Sequence, residues 1–222
     1  MTVLAFDCAI SGLSVALVRD GTRLAHHREE GRGQAATLLP TIATLMRDAG
    51  IDRRALSLIA VTVGPGSFTG VRVGLAAARG LSVALDVPLA GVTTTGALLA
   101  AADGEAHDRL AVAAIDSHLG DWFCALGEGS CAPFLASTEA LAASLVGRRC
   151  LVIGPQAERL APLLPRATAR TALPDPLVLA RLALGDGIDA WRARNRIEGL
   201  PRPLYLRGVN VTTPDGTRRT VE

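Results

Sequence analysis

Residues 58 to 85 read LIAVTVGPGSFTGVRVGLAAARGLSVAL, and this stretch decides the fold. Leu58 to Val63 is an apolar, largely β-branched run, the pattern of a strand buried on both faces. Gly64-Pro65-Gly66-Ser67-Phe68-Thr69-Gly70 follows, where three glycines and a proline exclude both helix and ladder. From Val71 to about Leu85 the spacing is helical. A strand that enters a helix through a Gly-rich turn aims backbone N–H groups at one point, backed by the positive end of the helix dipole, and this geometry suits a phosphate. Two familiar phosphate loops are excluded or poorly matched. Walker A ends in Gly-Lys-Ser/Thr, and the chain contains no lysine. The G-x-G-x-x-G fingerprint has one residue too many in its last gap and lacks the acidic residue further on.

Within the helix, Gly70, Gly74, Ala78 and Ser82 recur every fourth position and form one stripe of small side chains. Mid-helix glycine costs about 1 kcal/mol relative to alanine, so Gly74 and Gly80 imply that another backbone comes close. That backbone belongs either to the chain's own sheet or to a partner helix.

Working outward, Val3 to Asp7 is a strand ending on a carboxylate, Ser14 to Val18 the returning strand, and Asp20-Gly21 a type I′ turn signal before a third strand, Thr22 to His27. A helix is predicted from Leu38 to Ala49, with Pro40 in its first turns. Val87 to Val92 is a strand and Thr93 to Ala102 a helix capped by Thr93 or Thr94. Three strands followed by alternating helices and strands make one βββαβαβα unit. Asp103 to Asp108 is the most polar break and marks a boundary between domains 1–104 and 105–222. Leu110 to Ile115, a strand ending on Asp116, and the returning strand Trp122 to Leu126 open the second half as the first half opens, which implies duplication; helices at Thr138 to Leu145, Ala157 to Leu163 and Pro176 to Leu184 and a strand at Cys150 to Gly154 follow. Gly208 to Glu222 reads as an extended tail.

The chain has 222 residues with 49% hydrophobic and only 3% aromatic content, so Ala, Leu and Val must fill the core. The formal net charge of +2 selects no class of partner. No apolar run reaches the length of a membrane span and no signal peptide opens the sequence. Cys8, Cys124, Cys131 and Cys150 lack C-x-x-C spacing and read as reduced thiols of a cytoplasmic protein. Arg192, Arg194 and Arg196 read as a solvated helix face.

The motif Gly64 to Gly74, the opening LAFD…SVAL, Ala114-Ile115-Asp116 with Gly120-Asp121, and Pro203-Leu204-Tyr205-Leu206-Arg207 resemble the bacterial TsaB (YeaZ-type) family, in register over nearly the whole chain. The resemblance implies an α/β, two-lobed actin/Hsp70/sugar-kinase-like (ASKHA) fold with duplicated mixed-sheet lobes. It implies a non-catalytic subunit that acts with TsaD, directly, and with TsaE, through the complex. Together they place threonylcarbamoyl on adenosine of ANN-decoding tRNAs, the tRNA being reached indirectly and no membrane being involved. TsaD-like enzymes carry a metal-binding H-x-x-x-H on the helix after Val92. The matching positions here are Thr94 and Leu98, so no metal is expected, and His26, His27, His107 and His118 are scattered. Cys8, Ile10 and Gln34 also depart from polar residues common in the family. The expected nucleotide and phosphate-loop residues are Asp7, Gly66, Ser67 and Thr69, with Asp7 read on spacing alone as a turn or capping carboxylate. No cofactor is expected to be held tightly, with ATP or ADP confined to the partner interface. The expected partner contact comprises Leu38, Ile42, Leu45 and Met46 with Gly70, Gly74, Ala78 and Ser82, and the same surface would form a homodimer in isolation. The rival readings are an ATP-dependent small-molecule kinase of the same superfamily and a metallopeptidase. The kinase needs an adenosine loop that Gly127-Glu128-Gly129-Ser130 and Gly154-Pro155 supply poorly.

Overall fold

In the computed structural model, residues 1–10, 12–31, 33–207, 209–212 and 218–221 are described, the last two stretches by backbone alone. The strands β1 (Thr2–Asp7), β2 (Leu13–Arg19) and β3 (Thr22–Glu29) form an antiparallel meander, joined by a turn in which Asp20 and Gly21 both have positive φ, as a type I′ turn requires. Helix α1 (Gln34–Asp48) leads through a short 3₁₀ turn to β4 (Leu56–Thr62), then α2 (Phe68–Leu85), β5 (Leu89–Val92) and α3 (Thr94–Ala101). β4 and β5 add in parallel to β1, so the sheet order is β3-β2-β1-β4-β5.

The second half repeats this plan. Strands β6 (Leu110–Asp116), β7 (Trp122–Leu126) and β8 (Phe134–Ala136) form the meander, followed by α4 (Thr138–Ser144), β9 (Cys150–Gly154), α5 (Ala157–Leu160) and β10 (Ala167–Thr171). The order β8-β7-β6-β9-β10 matches the first sheet strand for strand, with the same parallel and antiparallel pairings. This is the duplicated, two-lobed ASKHA-type fold.

The chain closes with α6 (Pro176–Asp186), α7 (Ile188–Ile197) and an antiparallel ribbon of β11 (Val209–Thr212) and β12 (Arg218–Val221). The ribbon covers part of the stretch read as an extended tail. The rest of that stretch lies outside the described residues.

Strand alternation sorts the core into layers. Leu4, Phe6, Val15, Leu17, Ile59 and Val61 face one side of the first sheet beneath α1 and α2. Val3, Ala5, Ala16, Val18, Leu58 and Ala60 face the other, where Leu179, Ala180 and Ala183 of α6 pack with Trp191. Fully burying a side chain such as Phe6 or Leu4 is worth about 1.5–3 kcal/mol. The small residues on the second face let α6 lie close. In the second lobe Leu141 and Leu160 cover one sheet face, while Leu98, Leu99 and Ala102 from α3 cover the other. The two sheets part at the stretch that contains residue 104, but packing does not follow that division. α3 covers the second sheet and α6 the first, so each lobe borrows a helix.

Several elements differ from expectation. α1 begins at Gln34, four residues early, which places Pro40 in the helix interior on its exposed side. The helix expected at Ala157 to Leu163 breaks into α5 and a 3₁₀ turn where Pro162 enters. β8, β10 and α7 carry too short or too polar a pattern to stand out. α2, at 18 residues, is long and apolar enough to cross a membrane, contrary to the reading from apolar runs. It nevertheless links two adjacent strands, β4 and β5, and buries Val71, Leu75 and Ala78 against them.

Candidate functional site

A cleft of about 950 Å³ opens between the lobes, between the loop after β4 and the loop after β6. Its walls mix apolar side chains such as Ile10, Val71, Ile115 and Phe123 with polar ones that include Ser67, Asp116, His118, Gln156 and Arg207. At its mouth the Arg72 guanidinium lies 3.6 Å from the Phe68 ring centroid and its Nε donates to the Tyr205 hydroxyl at 2.7 Å. Tyr205 reaches this position because Leu204 N–H donates to the Val63 carbonyl at 2.8 Å, drawing residues 203–207 across the end of β4. In the sequence Tyr205 and Phe68 belong to separate motifs. Nothing in a separation of over a hundred residues signals that they meet.

The expected phosphate loop is built but turned to another use. Ser67 caps α2 by accepting from Gly70 N–H through Oγ at 3.2 Å, and its own N–H donates to the Ala9 carbonyl at 2.6 Å. Two amides at the phosphate position are therefore spent within the chain. Gly66 and Ser67 line the cleft, whereas Thr69 is exposed on the first turn of α2 and does not. Asp7 is only 5% exposed and is not on the cleft wall. Its Oδ1 accepts from Ala9 N–H at 3.0 Å and from the Thr62 hydroxyl at 2.7 Å. Burial pushes its carboxyl above the usual carboxylate range, against the pull of Thr62, Ala9 and Arg28. Asp7 thus makes the contacts of a turn carboxylate, and of the four expected residues only Gly66 and Ser67 share the cleft wall. Burial and the neighbouring Asp7 push the Cys8 thiol up to about 12, so it is no nucleophile at neutral pH.

The second-lobe counterpart behaves differently. Asp116 lines the cleft, receives His118 N–H at 2.8 Å and pairs with Arg159. Burial pushes its carboxyl up, but the His118 amide and Arg159 outweigh it and hold the group below the usual range. Gly127 and Glu128, candidates for an adenosine loop, line a separate hollow, in which Arg148 pairs with Glu128 and Arg194 with Asp186. They are not at the interlobe cleft. Thr94 and Leu98 are both fully buried, and Leu98 offers no donor atom. Of the histidines, His26 meets Ser14 Oγ at 3.1 Å and His27 stands 3.9 Å from Glu29. Among the described residues no three His, Cys, Asp or Glu side chains converge on one point.

The expected partner surface requires correction. Gly70, Gly74, Ala78 and Ser82 all face inward. A Cβ at Gly70 would overlap the Cys8 carbonyl, and one at Gly74 would touch Cys8 and Val61 at 3.5 Å. The close backbone approach that the stripe implies is therefore made to the chain's own β1 turn and β4. Leu38 and Ile42 are buried in the same core, with Leu45 and Met46 only partly buried beside it. The outward stripe lies two positions on. Ala76, Gly80 and Ala84 are exposed, Val83 is 74% exposed, and a Cβ at Gly80 would meet nothing within 4 Å. Across a groove from them lie Leu39, 50% exposed, and Ala43 of α1. The result is an apolar two-helix face on the outside of the first lobe.

Comparison with known proteins agrees with this geometry. The family model "TsaD: tRNA N6-adenosine threonylcarbamoyltransferase" matches residues 26–125. The chain is 34% identical to the tRNA threonylcarbamoyladenosine biosynthesis protein TsaB of Escherichia coli over 56% of its own length and 54% of that relative. With the Bacillus subtilis TsaB it shares 33% identity, over 57% and 55%. A Pseudomonas aeruginosa structure described as similar to peptidase YeaZ superposes with a TM-score of 0.74 at 28% identity, covering 93% of this chain and 99% of that one. The chain is similar to TsaB/YeaZ proteins in sequence and in fold. It spans about half the length of the curated relatives it matches, and the residues 26–125 that match the family model hold α1, α2 and the loop between β4 and α2.

Proposed function

We propose that the protein is a non-catalytic, cytoplasmic subunit in the making of N6-threonylcarbamoyladenosine on ANN-decoding tRNAs, working beside a TsaD transferase and, through the complex, TsaE. The observation that carries this reading is the outward apolar face of α1 and α2, centred on Leu39, Ala43, Ala76 and Gly80. A mid-helix glycine with open space around it has no role within the chain. It lets a second backbone approach. Residues 26–125, which contain both helices, match the TsaD model. A partner built on the same helices would present a like face, and in its absence a second copy of this chain would take its place.

The cleft supports the absence of turnover. Its would-be phosphate loop has spent its Ser67 and Gly70 amides internally, Asp7 is buried, and Leu98 stands where the related enzymes have a metal-binding histidine. Nucleotide, as ATP or ADP, is then held at the partner interface rather than by this chain alone.

The deciding measurement is threonylcarbamoyl transfer to tRNA by the same organism's TsaD with and without this protein. The reading requires transfer to depend on the protein and the protein alone to turn over no ATP. Transfer by TsaD alone would end it. Gly80→Arg with Ala76→Arg should weaken pairing at least about tenfold in a pull-down or gel-filtration assay and leave the urea midpoint within error.

A further inference from the structure

The two exposed sides of α2 differ in chemistry, and only one is used by the reading above. At 100° per residue, Phe68, Arg72, Arg79 and Asp86 fall within about 40° of one another, on the side away from Leu81 and Leu85, which line the groove to α1. Along that side runs the chain from α7 to Tyr205. Arg192 stands 3.9 Å from Asp86 at the far end of α2, and Tyr205 is bonded to Arg72 at the near end. Between them Asn195 pairs with both the N–H and the carbonyl of Leu89, at 2.7 and 3.0 Å, and Leu200 and Leu204 pack into the core that lies under α2. The segment is therefore fixed antiparallel to α2 over roughly 20 Å.

This strip carries Arg72, Arg79, Arg192, Arg196 and Arg202 against Asp86 and Glu198. Arg79, Arg196 and Arg202 are exposed, and among the described residues none of the three meets a carboxylate. The chain as a whole has a formal net charge of only +2, so the rest of its surface has no net positive charge. At the near end of the strip lies a second, independent feature. The chain's single tyrosine and one of its four phenylalanines are exposed together, Tyr205 at 43% and Phe68 at 46%, with ring centroids 5.8 Å apart and Arg72 against them.

We propose that this strip is an RNA-binding track, in which Arg79, Arg192, Arg196 and Arg202 follow phosphates and Phe68 with Tyr205 stacks an unpaired base at the cleft mouth. Cations spaced along a helix and its neighbour fit a phosphate backbone, and exposed aromatics with an arginine alongside fit a base that has left its stack. The strip lies on the flank of α2 away from its groove with α1 and beside the Ala76–Gly80 face. The choice of tRNA as the RNA rests on the proposed function. The test below contains no transferase, so it fails or succeeds independently of that reading.

The full chain is titrated against a fluorescent in vitro transcript of an ANN-decoding tRNA, by anisotropy, across a salt series. Binding is expected to weaken with salt. Arg79→Glu with Arg196→Glu and Arg202→Glu should lose about thirtyfold in affinity and flatten the log–log salt slope by about two. Phe68→Ala with Tyr205→Ala should lose about tenfold with the slope unchanged. A charge-matched control, Arg53→Glu with Arg54→Glu and Arg166→Glu, should bind as the parent. Circular dichroism checks folding, and Arg→Gln changes at the three track positions replace the Glu set should that set unfold. No binding by the parent at low salt, equal losses in track and control variants, or a loss confined to anionic phospholipid vesicles would each overturn the proposal.

Discussion

The two lobes share a strand plan but not their crossovers. In the first, the connection after β4 opens into the 18-residue α2, and α1 adds 15 residues beside it. In the second, the equivalent connection after β9 also starts Gly-Pro, at Gly154, but yields only the four-residue α5 and a 3₁₀ turn, and α4 has seven residues. The second lobe shows how little helix is needed to seal such a sheet face. The first lobe's excess length projects an apolar side and a basic side into solvent. The surfaces proposed above for a protein partner and for RNA both lie on that extra helix.

Each lobe has a glycine packed directly against backbone. Gly70 and Gly154 sit where a Cβ would overlap a backbone carbonyl, that of Cys8 in one lobe and Ala114 in the other. Alanine at either should cost about 3 kcal/mol or more, because the Ala114 carbonyl is held in β6 and the Cys8 carbonyl in the buried turn after β1. Urea unfolding measures both. A cost at one and not the other would mean that only one of the two close approaches is rigid.

The paired carboxylates sharpen it. Asp7 is raised by burial, so between its unfolded and folded pKa values its ionisation works against the fold, and stability falls as pH rises. Asp116 is lowered, so its contribution is present above the unfolded value and is lost as pH falls through the folded one. Asp7→Asn, which keeps the Oδ1 acceptor, should raise stability at neutral pH relative to acid. Asp116→Asn should do the reverse. Urea midpoints between pH 3 and pH 7 read both, and shifts of the same sign would refute the assignment. The smallest effect is at Gly80, where alanine should stabilise the isolated chain by roughly 0.5–1 kcal/mol, since nothing in the chain needs the glycine.

Much of the architecture was legible in the residues. Alternation and β-branching marked β1, β2, β4, β6 and β9, Asp20-Gly21 marked its turn, and Asp175 with Pro176 marked the start of α6. These signals are local, set by backbone sterics and by which neighbours along the chain can satisfy an amide. β8, β10 and α7 were missed because their burial is partial and their patterns weak. The stripe Gly70, Gly74, Ala78 and Ser82 was read rightly as a place of close approach, but its partner was the chain itself. Periodicity shows that a helix has faces. Which face turns inward depends on where the sheet lies, and that is settled only when β1, β4 and the Cys8 turn are in place. The meeting of Arg72 with Tyr205 and of Arg192 with Asp86 was likewise beyond reach from sequence, because contacts across so many residues are fixed by the packing of α6 and α7 on a sheet made from the other half of the chain.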